Sequence, residues 1–363
     1  MGGVEQVIAQ IARGTHQLGV GVDVLSLTSD PQAVTVQTDG YRAHRARINF
    51  EVASTGFSVS AFFQFKQLVK EVDLIHYHFP WPFMDMVHFA ARVKKPTLVT
   101  YHSDIIRQKN LLRLYRPLMH RFLSSVDAVV ATSPNYLATS SVLSHYANKV
   151  RVIPIGLDKA SYAAPAQDRL RHWRDTLGPR FFLFVGVLRY YKGLHVLVEA
   201  AQGTDYPIVI VGAGPIEQEL RSQVAQLGLR NIYFLGYLEE ADKVALLMLC
   251  YAVLFPSHLR AEAFGISLLE GAMFGKPLIS SEIGTGTTYI NIAGETGLVV
   301  PPSDPQALRQ AMHYLWNHPD EAAHMGQRAE QRYWSHFTAE QMAKSYVDVY
   351  ADVIGNPQCL APR

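Results

Sequence analysis

Cysteine is nearly lacking: of 363 residues only two are cysteine, Cys250 inside an apolar run and Cys359 in the C-terminal tail. Thiols so placed exclude a disulfide framework and point to a reducing compartment, so the expected location is cytoplasmic. Long hydrophobic runs are lacking too. No stretch approaches the roughly 18 apolar residues that span a bilayer, and no charged start leads into a secretory core, so membrane contact is expected to be peripheral. Charge of either sign is not in excess, at net +2, and no nucleic-acid partner is expected. The chain has no Asp-x-Asp pair to chelate a metal on a diphosphate, and no zinc-like spacing. A reaction with neither metal nor cofactor is expected. Fixed-period repeats and low-complexity segments are also lacking.

What is present is an ordinary globular composition, 48% hydrophobic and 18% charged, in a chain long enough for two cores. Its charge is uneven: residues 1–160 carry 17 Lys and Arg against 11 Asp and Glu, and the remainder 16 against 20. The densest basic stretch, Arg107 to Leu123, interleaves Arg113, Arg116 and Arg121 with leucines around Pro117. Two readings stand for it, a helix lying on anionic lipid, or one packing its leucines into its own domain.

Short apolar strands alternate with helical periodicity, the signature of a parallel α/β fold. Strands are expected at Val22–Ser26, Leu74–Tyr77, Thr97–Tyr101, Ala128–Ala131 and Val150–Ile153. After the polar stretch Asp158–Asp168 they resume at Phe181–Val185, Ile208–Val211, Ile232–Phe234, Ala252–Phe255 and Leu278–Ser280. Beyond Pro305 the pattern is helical through Ala307–Trp316, Glu321–Ser335 and Ala339–Val353. Two doubly wound, Rossmann-like domains follow, residues 1–157 and 158–337. A C-terminal helix and tail, 338–363, is expected to return to the first domain, with ligands bound in the cleft between the domains at the strand ends.

The most specific segment is Pro256–Pro277, in which Glu262 and Glu270 stand eight apart around Phe264-Gly265-Ile266. Gly265 permits close backbone approach, and the helix it opens offers free amides to phosphate. Two separated carboxylates suit the hydroxyls of a sugar and a ribose joined by a diphosphate, that is, a nucleotide sugar. The loop after Phe181–Val185 carries Arg189 and Lys192, cations placed to meet the negative charge that grows on a departing diphosphate. Gly212 belongs to a tight strand-to-helix turn, Val211-Gly212-Ala213-Gly214-Pro215, whose third fingerprint glycine is replaced by Glu217. Tyr237 and Leu238 follow the next strand, where backbone groups can meet a base. In the first half His102 and Asp104 follow a strand end, suited to the reacting sugar and to an acceptor hydroxyl. His78 lies among aromatic residues that can form a platform for a sugar face.

The segments EAFGISLLE, GVLRYYKG, HSD and the starting GGVEQV resemble retaining nucleotide-sugar glycosyltransferases of family 4, with the two-domain GT-B fold, over about residues 2–355. The resemblance implies Glu262 on the transferred sugar, Glu270 on the ribose and amides of Phe264, Gly265 and Ile266 toward the donor. It also implies Arg189 and Lys192 on the diphosphate, His102 by the reaction centre, and Gly3 near donor or acceptor. More narrowly, HYHFPWPFMDM, TYHSDI and EIGTGT look like bacterial O-antigen mannosyltransferases. That implies GDP-mannose or GDP-rhamnose as donor, a lipid-linked glycan as acceptor and front-face attack with retention. The rival readings are a GT-B nucleotide-sugar epimerase and a donor-binding subunit without turnover. One departure stands out: the family's first hydrophobic strand is not found ahead of Gly2-Gly3, so the natural chain is expected to begin upstream, or this copy to be impaired.

Overall fold

The computed structural model describes residues 3–30, 35–38, 40–52, 55–105 and 109–355, so Gly2, Arg107 and Cys359 lie outside the described residues. The chain separates into two units, Met1–Gly156 with Ala339–Arg363, and Leu157–Thr338.

The first unit starts on a helix, α1 (Gly3–Gln17), that buries Val7, Ala9, Ile11 and Ala12 on one stripe. Next come β1 (Asp23–Thr28), β2 (Thr35–Thr38), β3 (Tyr41–Arg47), β4 (Phe50–Val52), β5 (Thr55–Phe57) and α2 (Val59–Glu71). The Rossmann alternation proper occupies β6 (Ile75–Phe79), α3 (Pro82–Ala90), β7 (Thr97–Tyr101), α4 (Lys109–Ser125), β8 (Ala128–Ala131), α5 (Pro134–Thr139) and β9 (Val150–Val152). Strands β6-β7-β8-β9 form one parallel sheet, and β7 and β8 are buried along their whole length, as strands covered on both faces must be.

Two features of this unit differ from the sequence reading. Residues 35–57 form two antiparallel pairs, β2 with β3 and β4 with β5, where only a parallel pattern was expected. In addition, β1 pairs with β3 in a sheet of its own with β2, and β4 pairs only with β5, so the described residues of the unit form three sheets rather than one. Between β1 and β6 lies a cavity of about 210 Å³, lined by Val24 and Leu25 of β1, Ile75 and Tyr77 of β6, Ile11 of α1 and Phe65 of α2. All six residues of β1 are only half-buried.

The second unit comprises α6 (Gln167–Leu177), β10 (Phe182–Val185), α7 (Leu194–Ala200), β11 (Ile208–Val211), α8 (Glu217–Gln226), β12 (Ile232–Gly236), α9 (Glu240–Leu249) and β13 (Ala252–Phe255). It continues through α10 (Ile266–Met273), β14 (Leu278–Ser281), α11 (Thr287–Ile290), β15 (Gly297–Val300), α12 (Pro305–Asn317) and α13 (Pro319–His336). Its six strands run parallel in the order β12-β11-β10-β13-β14-β15, a complete doubly wound sheet. The core includes Phe182, Phe184, Leu197, Ile208, Ile210, Leu254 and Ile279, all fully buried. The last helix, α14 (Ala339–Gly355), belongs to the first unit, where it packs on α1. A Cβ added to Gly14 would come within 2.6 Å of Ala343 Cβ, so the two helices meet at a small-residue contact.

Asp85, in the first turn of α3, is buried and accepts a hydrogen bond from Tyr115 of α4. Burial pushes its carboxyl up to about 7 from 3.8, although the Tyr115 bond opposes the shift. Well below pH 3.8 both folded and unfolded states hold the proton, and at pH 4 the unfolded chain has released only about half of it. As pH rises toward 7 the unfolded chain releases it first, so stability falls and stays lower above 7. Asp85→Asn therefore gains on the parent as pH rises, by about 2–4 kcal/mol at pH 8 and little at pH 4. Urea unfolding at the two pH values measures the difference, and equal gains at both would contradict it.

Candidate active site

The second unit's sheet reverses its winding between β10 and β13, so the loops leaving those two strands diverge and open a crevice beyond their carboxyl ends. One loop is Gly186–Gly193 and the other Pro256–Gly265. They are tied together by the His258 amide, which donates to the Tyr191 carbonyl at 3.0 Å. Gly193, at φ 69°, lies so close that a Cβ there would stand 2.0 Å from the Pro256 carbonyl oxygen. Only glycine allows this approach.

From these loops Lys192 and Glu262 reach each other as an ion pair, each side chain 12% exposed. Ser257 Oγ adds a longer bond to the same carboxylate at 3.3 Å, and Lys192 Nζ sits 5.0 Å from the centre of the Phe255 ring. Arg189, in contrast, is exposed, precedes the helical turn Tyr190–Lys192 and makes no salt bridge among the described residues. The two cations of this loop thus differ: one is held, the other is free to swing onto an anion.

Helix α10 begins at Gly265, whose φ of 100° turns the chain so that Ile266 is the first helical residue. The first backbone bond runs from the Leu269 amide to the Gly265 carbonyl, which leaves the amides of residues 266–268 outside the ladder and the helix's positive end toward the crevice. Phe264 beside it is buried and packs on the Phe337 ring. One turn into α10, Glu270 is 3% exposed, which rules out a solvated helix residue. Its Oε1 accepts from Tyr162 Oη at 2.8 Å and from Lys243 Nζ at 2.9 Å. Burial works against the Lys243 ammonium, yet Glu270 and Glu240 outweigh it and hold its pKa above the ordinary value. Lys243 and Tyr162 are site residues that the sequence did not reveal, because their partner is 27 and 108 positions away.

Gly212, at φ 130°, packs against the β10 loop: its amide donates to the Gly236 carbonyl at 2.7 Å and a Cβ would strike the Gly186 oxygen. Tyr237 is 83% exposed and Leu238 half-buried on the loop after β12.

In the first unit, His102 lies one residue past β7 and is buried, with its amide donating to the Phe79 carbonyl at 2.9 Å. The His78 and His102 rings are hydrogen-bonded to each other. Asp104 accepts from Tyr101 Oη and Ser140 Oγ, both at 2.8 Å, so its carboxylate is engaged within its own unit. Gly3 is exposed at the start of α1. Helix α4 buries Met119, Phe122 and Leu123 and leaves Leu114 82% and Leu111 47% exposed beside exposed Arg113, Arg116 and Arg121. Both readings of this stretch therefore find a face. No helix among the described residues is long and apolar enough to cross a membrane, and none of their His, Cys, Asp and Glu residues cluster as a metal site.

A complete doubly wound unit with a held lysine, two buried glutamates and a helix start at its switch point, joined to a second parallel α/β unit, defines a glycosyltransferase of the GT-B class. The model for "Glycosyltransferase Family 4" matches residues 1–161, and that for "Glycosyl transferases group 1" matches residues 170–332. The D-rhamnosyltransferase WbpZ of Pseudomonas aeruginosa is 64% identical over 339 residues, 93% of this chain and 89% of the relative. The O-antigen chain mannosyltransferase C of Escherichia coli is 49% identical over 353 residues, 97% and 95%. Among solved structures, HepE of Anabaena in complex with UDP and glucose superposes with a TM-score of 0.76 at 21% identity, covering 96% of each chain, a likeness of fold. This chain belongs to the family 4, group 1 glycosyltransferases and is an enzyme of that family.

Proposed function

We propose that this glycosyltransferase moves mannose or its 6-deoxy form, D-rhamnose, from a GDP-linked donor to a lipid-linked glycan in O-antigen synthesis, with retention of configuration. The observation that carries this reading is the pairing of Lys192 with Glu262, beside a buried Glu270, at the switch point of a complete nucleotide-type sheet. The names of the two relatives support the sugar: one is a rhamnosyltransferase and the other a mannosyltransferase, and these sugars share every stereocentre but differ at C6. Glu262 grips the transferred sugar, Glu270 the ribose, and the amides at 264–266 the donor phosphate, with Gly212, Tyr237 and Leu238 lining the nucleotide end. The C1–oxygen bond to the diphosphate breaks while the acceptor oxygen bonds to C1 on the same face. The acceptor proton passes to the departing phosphate, whose charge Lys192 and Arg189 stabilise. His102 stands by the sugar, and Asp104, His78 and Gly3 belong to the acceptor side. The arginine and leucine face of α4 serves contact with an anionic cytoplasmic membrane where the acceptor resides.

Purified enzyme is incubated with GDP-mannose, GDP-rhamnose and UDP-glucose and a lipid-linked acceptor, and products are weighed by mass spectrometry. A gain of one hexose or deoxyhexose from a GDP-sugar is expected. A donor isomerised with no gain on the acceptor would mark an epimerase, and donor bound but unchanged would mark a subunit without turnover.

A further inference from the structure

The first unit places three imidazoles side by side, two along β6 and one just past the carboxyl end of β7. His76 and His78 alternate along β6 and so share one face, and His102 follows β7. The His76 and His78 rings lie 4.5 Å apart, and His78 and His102 stack at 5.2 Å with 21° between planes. His76 is fully committed: Nδ1 is 2.9 Å from Tyr350 Oη of α14 and Nε2 is 2.7 Å from Thr100 Oγ1, which also bonds Tyr346 Oη at 2.8 Å. His78 Nδ1 is 2.9 Å from His102 Nε2. Burial holds all three imidazoles neutral near pH 7, with His76 lowered to about 3 and His102 to about 4.

Two neutral rings in contact through nitrogen share one proton, so the tautomer of each fixes the tautomer of the other. His78 Nε2 makes no hydrogen bond among the described residues, and His78 borders a cavity whose wall is mostly apolar. One of the two outer nitrogens, His78 Nε2 or His102 Nδ1, must carry the second proton, and the mostly apolar cavity wall that His78 borders, and His102 does not, disfavours an N–H on the His78 side. The proton of the contact therefore sits on His78 Nδ1, and His102 carries its own on Nδ1, the nitrogen that makes no protein hydrogen bond among the described residues.

We propose that His78 is a positioning residue that locks His102 in the Nδ1–H tautomer, so that His102 presents a donor, not a base, to an oxygen of the sugar or of the departing diphosphate. This rests on the reading of His102 as a residue of the reaction centre, and it takes His78 out of direct acceptor contact. The imidazole is a fixed dipole whose donor is aligned before the substrate arrives.

The test compares His78→Phe, which keeps a ring without nitrogen, with His78→Asn, whose amide can supply the lost donor near the Nδ1 position. In the full-length enzyme, His78→Phe is expected to lower kcat tenfold or more with donor KM within about twofold, and His78→Asn to recover most of the loss. Nitrogen-15 NMR of labelled histidine reports the His102 tautomer: Nδ1–H in the parent and in His78→Asn, Nε2–H in His78→Phe. Full activity of His78→Phe overturns the proposal, as does an equal loss in both variants with the tautomer unchanged, which would mark simple packing. His102→Ala separates the two levels: if it transfers sugar at the parent rate, the underlying reading of His102 fails and the proposal with it. If His102→Ala is inactive while His78→Phe is not, the proposal fails alone.

Discussion

Replacing Lys192 by alanine is expected to lower kcat for sugar transfer by about a hundredfold to a thousandfold while donor KM moves severalfold at most. The reason lies in when the charge appears. Before donor binds, the Lys192 ammonium is matched by Glu262 in a pair with little exposure to water, where screening is weak. A diphosphate gains negative charge only as the glycosidic bond breaks, so the held cation contributes more to the transition state than to the bound substrate. Arg189, exposed and without an ion pair among the described residues, must be ordered each time, and Arg189→Ala is expected to cost less in kcat and more in KM. Removing Lys192 also leaves Glu262 buried with Ser257 as its one side-chain partner among the described residues, so some loss of melting temperature is expected beside the loss of rate. Lys192→Arg keeps the charge and should melt near the parent. Steady-state kinetics with scanning calorimetry on the three variants gives the result, and an alanine variant with parental kcat would remove Lys192 from the mechanism.

Gly193→Ala is expected to destabilise the protein by about 3–5 kcal/mol and to abolish most transfer. Its left-handed φ alone costs a non-glycine residue about 1 kcal/mol. Collision costs more, since a methyl carbon would sit 2.0 Å from the Pro256 oxygen and must push the β10 and β13 loops apart. Those loops carry Lys192 and Glu262, so displacement of the backbone is displacement of the ion pair. Gly203→Ala is the control: its φ is 72° but a Cβ there meets nothing within 4 Å, so the expected cost is about 1 kcal/mol. Urea midpoints for the two variants separate strain from collision, and equal losses would show that the close approach at Pro256 is unimportant.

Much of this site could be read from the chain because its signals are local. Strand, polar loop, glycine and apolar helix follow one another within Ala252–Met273, and the φ of 100° at Gly265 is what a glycine before a helix start suggests. The second unit's strands at Ile208–Val211 and Ala252–Phe255 have the expected bounds, because continuous runs of Val, Ile, Leu and Phe suit strands buried on both faces. Legibility ends where partners are distant or burial is partial. Gly297–Val300 is as short as β11 and β13, but it begins on glycine and, at the sheet edge, buries only its two end residues, so its apolar run is weaker. In β3, Tyr-Arg-Ala-His-Arg-Ala-Arg turns only its two alanines inward, so the apolar alternation that marks a strand is faint. Lys243 and Tyr162 gave no local sign of converging on Glu270. The histidines were visible as types but not as a coupled pair, since their contact arises from adjacent strands with His78 opposite Thr100.

The side of β1 that faces the cavity has consequences for how this enzyme behaves in the tube. Among the described residues β1 bonds to β3 alone, so one row of amides and carbonyls from Asp23 to Thr28 has no ladder of its own. Protons on that row exchange with solvent sooner than those of β7, flanked by β6 and β8, and local opening of the N-terminal unit starts there. Once such opening uncovers it, this strand margin with Val24, Leu25 and Leu27 is a template for extended peptide, so crowding many copies together favours edge-to-edge self-association through this seam.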